Sequence, residues 1–203
     1  MPINSLLDSD FLIAELAAEI KQCSLDECRD PEYTKRIKDR ISAFCLEKGA
    51  SDVRFTEASA SERRHEFMVD LCAFEGQRMI LAVESEWLPE PENTFYDFRK
   101  LLYLKAPLKV MICDSPSFVR DRLKPAAAFL AQYPDHLAGE EYIIFNFRGN
   151  RGVLNCHRWK PARDGAARLE EIRFSVVPGF PKTINEATWQ KNHNRDDAWL
   201  PET

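Results

Sequence analysis

The chain has 203 residues, of which 44% are hydrophobic and 30% charged, and its formal net charge is −5. That is room for one ordinary domain with a packed core, and it excludes a wholly disordered chain. No apolar run reaches the length of a membrane span, and the acidic balance argues against a protein that coats nucleic acid by bulk charge.

The N-terminus, Met1 to Asp8, carries no basic leader, and residues 8–23 read as an amphipathic helix. Asp8, Ser9 and Asp10 supply caps, and Leu12, Ile13, Leu16, Ala17 and Ile20 form its apolar stripe. Pro31 opens a second helix, about 31–48, with Ile37, Ile41, Phe44 and Cys45 at helical spacing and Gly49 where a C-cap belongs. A short strand follows at 52–56. The segment 66–74 is strand-like, Glu75-Gly76-Gln77 is turn-like, and 78–87 is a second strand, together a hairpin. Pro89 and Pro91 break the pattern. Asn93 or Thr94 then caps a helix running to about Lys105, with Phe98, Leu101, Leu102 and Lys105 along one face. Residues 108–113 form an almost unbroken apolar run, as in a strand buried on both faces. A helix at about 116–132, a strand at 142–147, its hairpin partner at 153–159 and a further strand within 168–177 complete the pattern. The tail, 178–203, reads as irregular.

The fold class expected is therefore α/β, a mixed central sheet with helices on both sides. The domain spans 1–177, with its core at about 31–113 and strands across 141–177. Six cysteines are too scattered for a disulfide framework; Cys45, Cys72 and Cys113 read as small core residues. A reducing, cytoplasmic setting follows.

The chemistry lies in the carboxylates of the hairpin. Asp70 falls in its first strand, and Glu84 and Glu86 at the end of its second. Alternation puts Glu84 and Glu86 on one face. With a three-residue loop at Glu75-Gly76-Gln77, Asp70 stands opposite Ala82 and Glu66 opposite Glu86, so all four carboxylates share that face. A two-residue loop at Glu75-Gly76 instead sends Asp70 to the other face from Glu84. Converging carboxylates repel one another unless a cation sits among them. Hard oxygen donors suit Mg²⁺ or Mn²⁺, which can hold a phosphate oxygen and acidify a water.

The order helix, three strands, helix, strand, with Asp70 in the second strand and Glu84-Ser85-Glu86 in the third, resembles the restriction-endonuclease-like PD-(D/E)XK nucleases. Their common core is αβββαβ, with an Asp in the second strand and Glu-x-Lys in the third. This chain has Val69 where Pro is usual and Glu86 where Lys is usual; a minority of restriction enzymes carry Glu-x-Glu, and in other members a lysine from the following helix takes over. Lys100 is the candidate here. The resemblance implies metal-dependent hydrolysis of phosphodiester bonds in nucleic acid, with DNA expected ahead of RNA and both left open. Asp70 and Glu84 would hold the metal with Glu66 as an extra ligand, and Glu86 or Lys100 would orient the attacking water and offset charge.

From Arg148 to Arg163 the chain carries Arg148, Arg151, Arg158, Lys160 and Arg163 with no acid among them. Phe147, His157 and Trp159 interleave. Such a strip suits backbone phosphates, with rings available to bases; the same pattern also describes a charged hairpin rim with Trp159 packed inward. The Walker, dinucleotide-binding and serine-hydrolase signatures are absent from the sequence. A second reading keeps the fold and drops the chemistry: a binding or scaffold module in a larger assembly, with a homodimer or a partner engaged through the tail, and no membrane contact.

Overall fold

The computed structural model describes residues 7–26, 30–55, 69–87, 90–115, 117–130, 132–133, 136–148, 153–161, 168–175 and 190–192. Helix α1 (Ser9–Leu25) is capped by Asp8, whose carboxylate accepts from the Asp10 and Phe11 N–H groups. Helix α2 (Asp30–Glu47) ends at Gly49, whose φ of 94° is the left-handed conformation that closes a helix without steric cost. The two helices are joined by ion pairs of Arg36 with Glu19 and Asp26 and of Arg40 with Glu15.

Strands β1 (Asp52–Phe55), β2 (Leu71–Glu75) and β3 (Arg78–Glu86) form an antiparallel meander. Helix α3 (Pro91–Tyr103) crosses to β4 (Leu108–Cys113), which runs parallel to β3. A π-helical turn (Val119–Leu123) and α4 (Lys124–Leu130) cross to β5 (Glu141–Arg148), parallel to β4. Strands β6 (Val153–Lys160), β7 (Arg168–Ser175) and β8 (Gln190–Asn192) then add antiparallel neighbours. Among the described residues, eight strands lie in chain order across one mixed sheet.

Period-two alternation divides the sheet into two cores. Leu71, Ala73, Leu81, Val83, Val110, Ile112, Ile143 and Phe145 pack with α1 and α2. Cys72, Ala82, Met111, Cys113, Tyr142, Ile144 and Trp159 pack with α3 and the π turn. Strand β4 is buried along its whole length, as its apolar run requires. The five described cysteines, Cys23, Cys45, Cys72, Cys113 and Cys156, are buried. Among the described residues no helix is long and apolar enough to cross a membrane.

Several boundaries differ from the sequence expectation for physical reasons. Helix α3 begins at Pro91, ahead of Asn93, because proline suits the first helical turn, where its missing N–H has no partner to lose. The helix expected across 116–132 opens as a π turn, in which the Lys124 N–H reaches Val119 O. Pro125 lacks the N–H that the α pattern would use, and the wider turn absorbs that loss. Residues 190–192 of the expected irregular tail form a strand.

Candidate active site

The hairpin turns through Gly76-Gln77, with Glu75 opposite Arg78. Gly76 has a φ of 60°, a left-handed value that glycine takes without strain. The register then shifts: Phe74 faces Met79, but Ala73 faces Leu81. Ile80 is the extra residue of a bulge, and Ile80 and Leu81 both pack into the α1/α2 core. Ala82 therefore stands opposite Cys72, two residues from the pairing with Asp70 expected from a three-residue loop. The bulge carries Ala82 and Glu84 to the α3 side.

The ladder ends at Leu71 opposite Val83. Asp70 lies just before β2, not within it. Here the chain bends, Val69 packs into the α3-side core, and Asp70 turns toward α2. Its carboxylate accepts from the Ser85 N–H at 2.8 Å and the Ser85 hydroxyl at 2.7 Å, and Lys38 Nζ of α2 lies 3.2 Å away. Asp70 thus meets Glu84 around the strand end, through Ser85. The common face expected from strand alternation does not form, because the bend breaks the alternation.

Glu84 is 3% exposed and points toward α3. Lys100 Nζ lies 3.2 Å from Glu84 Oε1 and 2.6 Å from Asp97 Oδ1, one helical turn earlier. The contact with Glu84 is an ion pair without hydrogen-bond alignment. Burial pushes the Glu84 carboxyl up to about 8, the Asp70 charge adds to the rise, and Lys100 opposes it. Burial works against the Lys100 ammonium, but Asp97 and Glu84 outweigh it and hold its pKa above the ordinary value. Glu86 is half-buried at the carboxyl end of β3, beside Cys113 of β4. The carboxyl ends of parallel strands are where open α/β sheets commonly present ligand-binding groups.

The structure thus brings together Asp70, Glu84 and Lys100, with Glu86 next along the strand. Glu66 lies outside the described residues, and among those described no group of three or more His, Cys, Asp or Glu side chains is arranged to hold a metal ion. Lys38, Ser85 and Asp97 complete the site, and the sequence alone does not single them out. Asp97 had a readable signal, its three-residue spacing from Lys100 on a helix. Lys38 had none, because its role depends on how α2 docks.

The downstream basic strip divides. Arg148 ends β5 opposite Val153, and Arg151 lies outside the described residues. Arg158 is buried on the α1 side of the sheet, with Glu141 Oε1 2.6 Å from its Nε and Asp10 against its other nitrogen. Lys160 pairs with Glu141 at 3.2 Å. Strand alternation sends Arg158 and Lys160 to the face opposite Glu84; Arg158 is buried there among acidic partners, and Lys160 is exposed beside Glu141. Trp159 and His157 are buried, so neither ring is open to a base.

A second charged cluster lies at the other end of β4. Lys109 is 0% exposed, and its ammonium donates to Glu140 at 2.9 Å and to the Tyr142 hydroxyl at 2.8 Å. Glu140 also accepts from the Leu137 N–H and the Tyr142 hydroxyl, and His136 contacts it. Burial lowers the Lys109 pKa, and Glu140 opposes the shift. This network is enclosed, so it specifies packing and offers no surface for chemistry.

Comparison with protein-family models, with curated proteins and with solved structures finds no match in any of the three.

Proposed function

We propose that the chain is a metal-dependent nuclease that hydrolyses phosphodiester bonds, in DNA ahead of RNA, on a restriction-endonuclease-like core. The observation that carries this reading is the meeting of Lys100, from the helix after β3, with Glu84 at the end of β3, where burial first and then the nearby Asp70 charge raise the Glu84 pKa. The order α2, β1, β2, β3, α3, β4 is the αβββαβ order of that core. The donor chemistry fits Mg²⁺ or Mn²⁺. Burial and the neighbouring Asp70 charge disfavour a charged Glu84, one buried oxygen of Glu84 lacks a hydrogen bond, and magnesium needs only one or two carboxylates when waters and phosphate complete its shell. Asp70 and Glu84 would hold the cation, with Glu66 as a further donor; when bound it would polarise a phosphate oxygen and acidify a water.

The protein groups do the rest. Ser85 and Lys38 fix the Asp70 carboxylate from two sides. Asp97 keeps Lys100 protonated and aimed at Glu84, so that its charge is in place for negative charge developing on the phosphoryl group. Glu86 or Lys100 orients the attacking water. The test is cleavage of supercoiled plasmid, single-stranded DNA and RNA, each with Mg²⁺, Mn²⁺ or EDTA. Cleavage that requires metal supports the reading, and its absence from all substrates removes it.

One observation favours a second reading. Asp70 is satisfied by Ser85 and Lys38, and Lys100 by Asp97 and Glu84, so these charges balance within the fold. A scaffold or binding module that retains the core without the chemistry would look the same. It predicts neither cleavage nor stabilisation by divalent cations.

A further inference from the structure

Helix α3 presents an exposed aromatic ring beside the candidate site. Its apolar side faces inward: Phe98 is buried against Phe118, Tyr142 and Trp159, and Phe95 packs toward Phe118. Tyr96 faces the other way and is 67% exposed, the most open of the large apolar side chains on the described surface. Lys100, one turn later, places its ammonium 5.8 Å from the centre of the Tyr96 ring. The same ammonium lies 3.2 Å from Glu84 Oε1. The ring centre is therefore within about 9 Å of the carboxylate, a separation that one nucleotide spans.

The other exposed tyrosine of the helix, Tyr103, packs its ring edge-on against Tyr133. Tyr96 instead meets the cation of the site. Of the rings that the sequence offered for stacking, Trp159 and His157 are enclosed, and the side chain of Phe147 lies outside the described residues.

From this placement we infer that Tyr96 is a stacking platform for an unpaired nucleobase next to the phosphate at Lys100, which makes the preferred substrate single-stranded nucleic acid or a duplex with a splayed base. This inference rests on the nuclease reading and adds a substrate class to it. A base in an intact duplex has both faces covered by its neighbours and cannot lie on the ring. A flipped or single-stranded base can, and every base has a face to offer, so the platform selects strandedness and not sequence. The Lys100 charge adjacent to the ring serves the phosphate on one side and the π system on the other.

The experiment is fluorescence anisotropy of the full chain, with Ca²⁺ in place of Mg²⁺, using labelled single-stranded DNA, single-stranded RNA and duplex DNA of about twelve nucleotides. Tyr96→Ala should weaken single-strand binding by roughly tenfold to a hundredfold. Tyr96→Phe should restore it, duplex binding should change little, and Tyr103→Ala should match wild type. Comparison of the DNA and RNA strands shows which sugar the site accepts. Equal affinity of Tyr96→Ala and wild type for single strands, or an equal loss for single strand and duplex, overturns the inference. If metal-dependent cleavage is present but Tyr96→Ala binds normally, the platform falls and the nuclease reading stands. If no cleavage occurs but Tyr96-dependent binding persists, the nuclease reading falls and the substrate class with it, while the stacking contact stands. Failure to bind any of the probes overturns the inference.

Discussion

Lys100 Nζ of α3 lies 3.2 Å from Glu84 Oε1 of β3, so the helix that crosses from β3 to β4 returns a cation to the strand it left. The pair joins a carboxyl that burial disfavours as an anion to an ammonium that Asp97 keeps charged. From it follow predictions about stability, metal binding and catalysis.

Glu84 makes stability pH-dependent. Its folded pKa of about 8 lies above the ordinary value of 4.5, so the folded state holds a proton that the unfolded chain releases. This stabilisation is complete below about pH 4.5, falls as pH rises toward 8 and levels off above it. The expected change attributable to this group is a few kcal/mol, because each tenfold difference in proton affinity is worth about 1.4 kcal/mol. Glu84→Gln, which cannot ionise, should flatten the profile between those limits. Urea denaturation of both proteins in metal-free buffer measures it, and parallel profiles contradict the assignment.

Divalent cations should reverse that trend. A cation competes with the proton on Glu84, so stabilisation by Mn²⁺ should grow as pH rises toward 8. Thermal melting should show an upward shift in wild type that is absent from Asp70→Asn and Glu84→Gln. A shift of equal size in all three proteins places the metal elsewhere.

The buried Lys109–Glu140 pair should behave as a unit. Lys109→Met or Glu140→Leu alone leaves a buried partner group uncompensated, at a cost of about 3–5 kcal/mol. The double variant Lys109→Met/Glu140→Leu should lose less than the two single losses combined. Strict additivity in a double-mutant cycle would show that the two side chains act independently.

Arg158 should prove structural. Arg158→Gln removes the buried one of the two cations that face Glu141 on the α1 side and should cost roughly 2–3 kcal/mol. It should leave oligonucleotide affinity and its salt dependence unchanged, since the guanidinium is enclosed on the face away from Glu84. A shallower salt slope in the variant would return Arg158 to the phosphates.

Periodicity made the framework legible. The stripes of α1 and α2, the apolar run of β4 and the strand–turn–strand pattern at 71–86 all report which side of an element is buried. What escaped was decided by local geometry or by docking. Ile80 gives no sign in the sequence of being a bulge, yet it sets which residues accompany Glu84. The bend at Val69 and Asp70 carries no glycine or proline, so the turning of Asp70 toward α2 was not readable. Lys100 follows from a resemblance, and only the setting of α3 against β3 shows that it reaches Glu84. Lys109 left one overlooked trace: a lone lysine within an apolar strand buried on both faces demands a buried acid, and Glu140 supplies it. Arg158 looked like part of a basic surface in one dimension, because Glu141 and Asp10, its partners, lie far from it in sequence.

The most direct test is metal-dependent cleavage measured side by side for wild type, Glu84→Gln and Lys100→Met, with folding of each confirmed by melting. With Mg²⁺ or Mn²⁺, wild type should cut nucleic acid, EDTA should stop it, and each substitution should lower the rate by at least about a hundredfold, the scale at which preorganised charge acts on a transition state. Cleavage that survives in folded Glu84→Gln and Lys100→Met, or no cleavage by wild type on any of the substrates, would contradict the claim that these two residues form a catalytic pair.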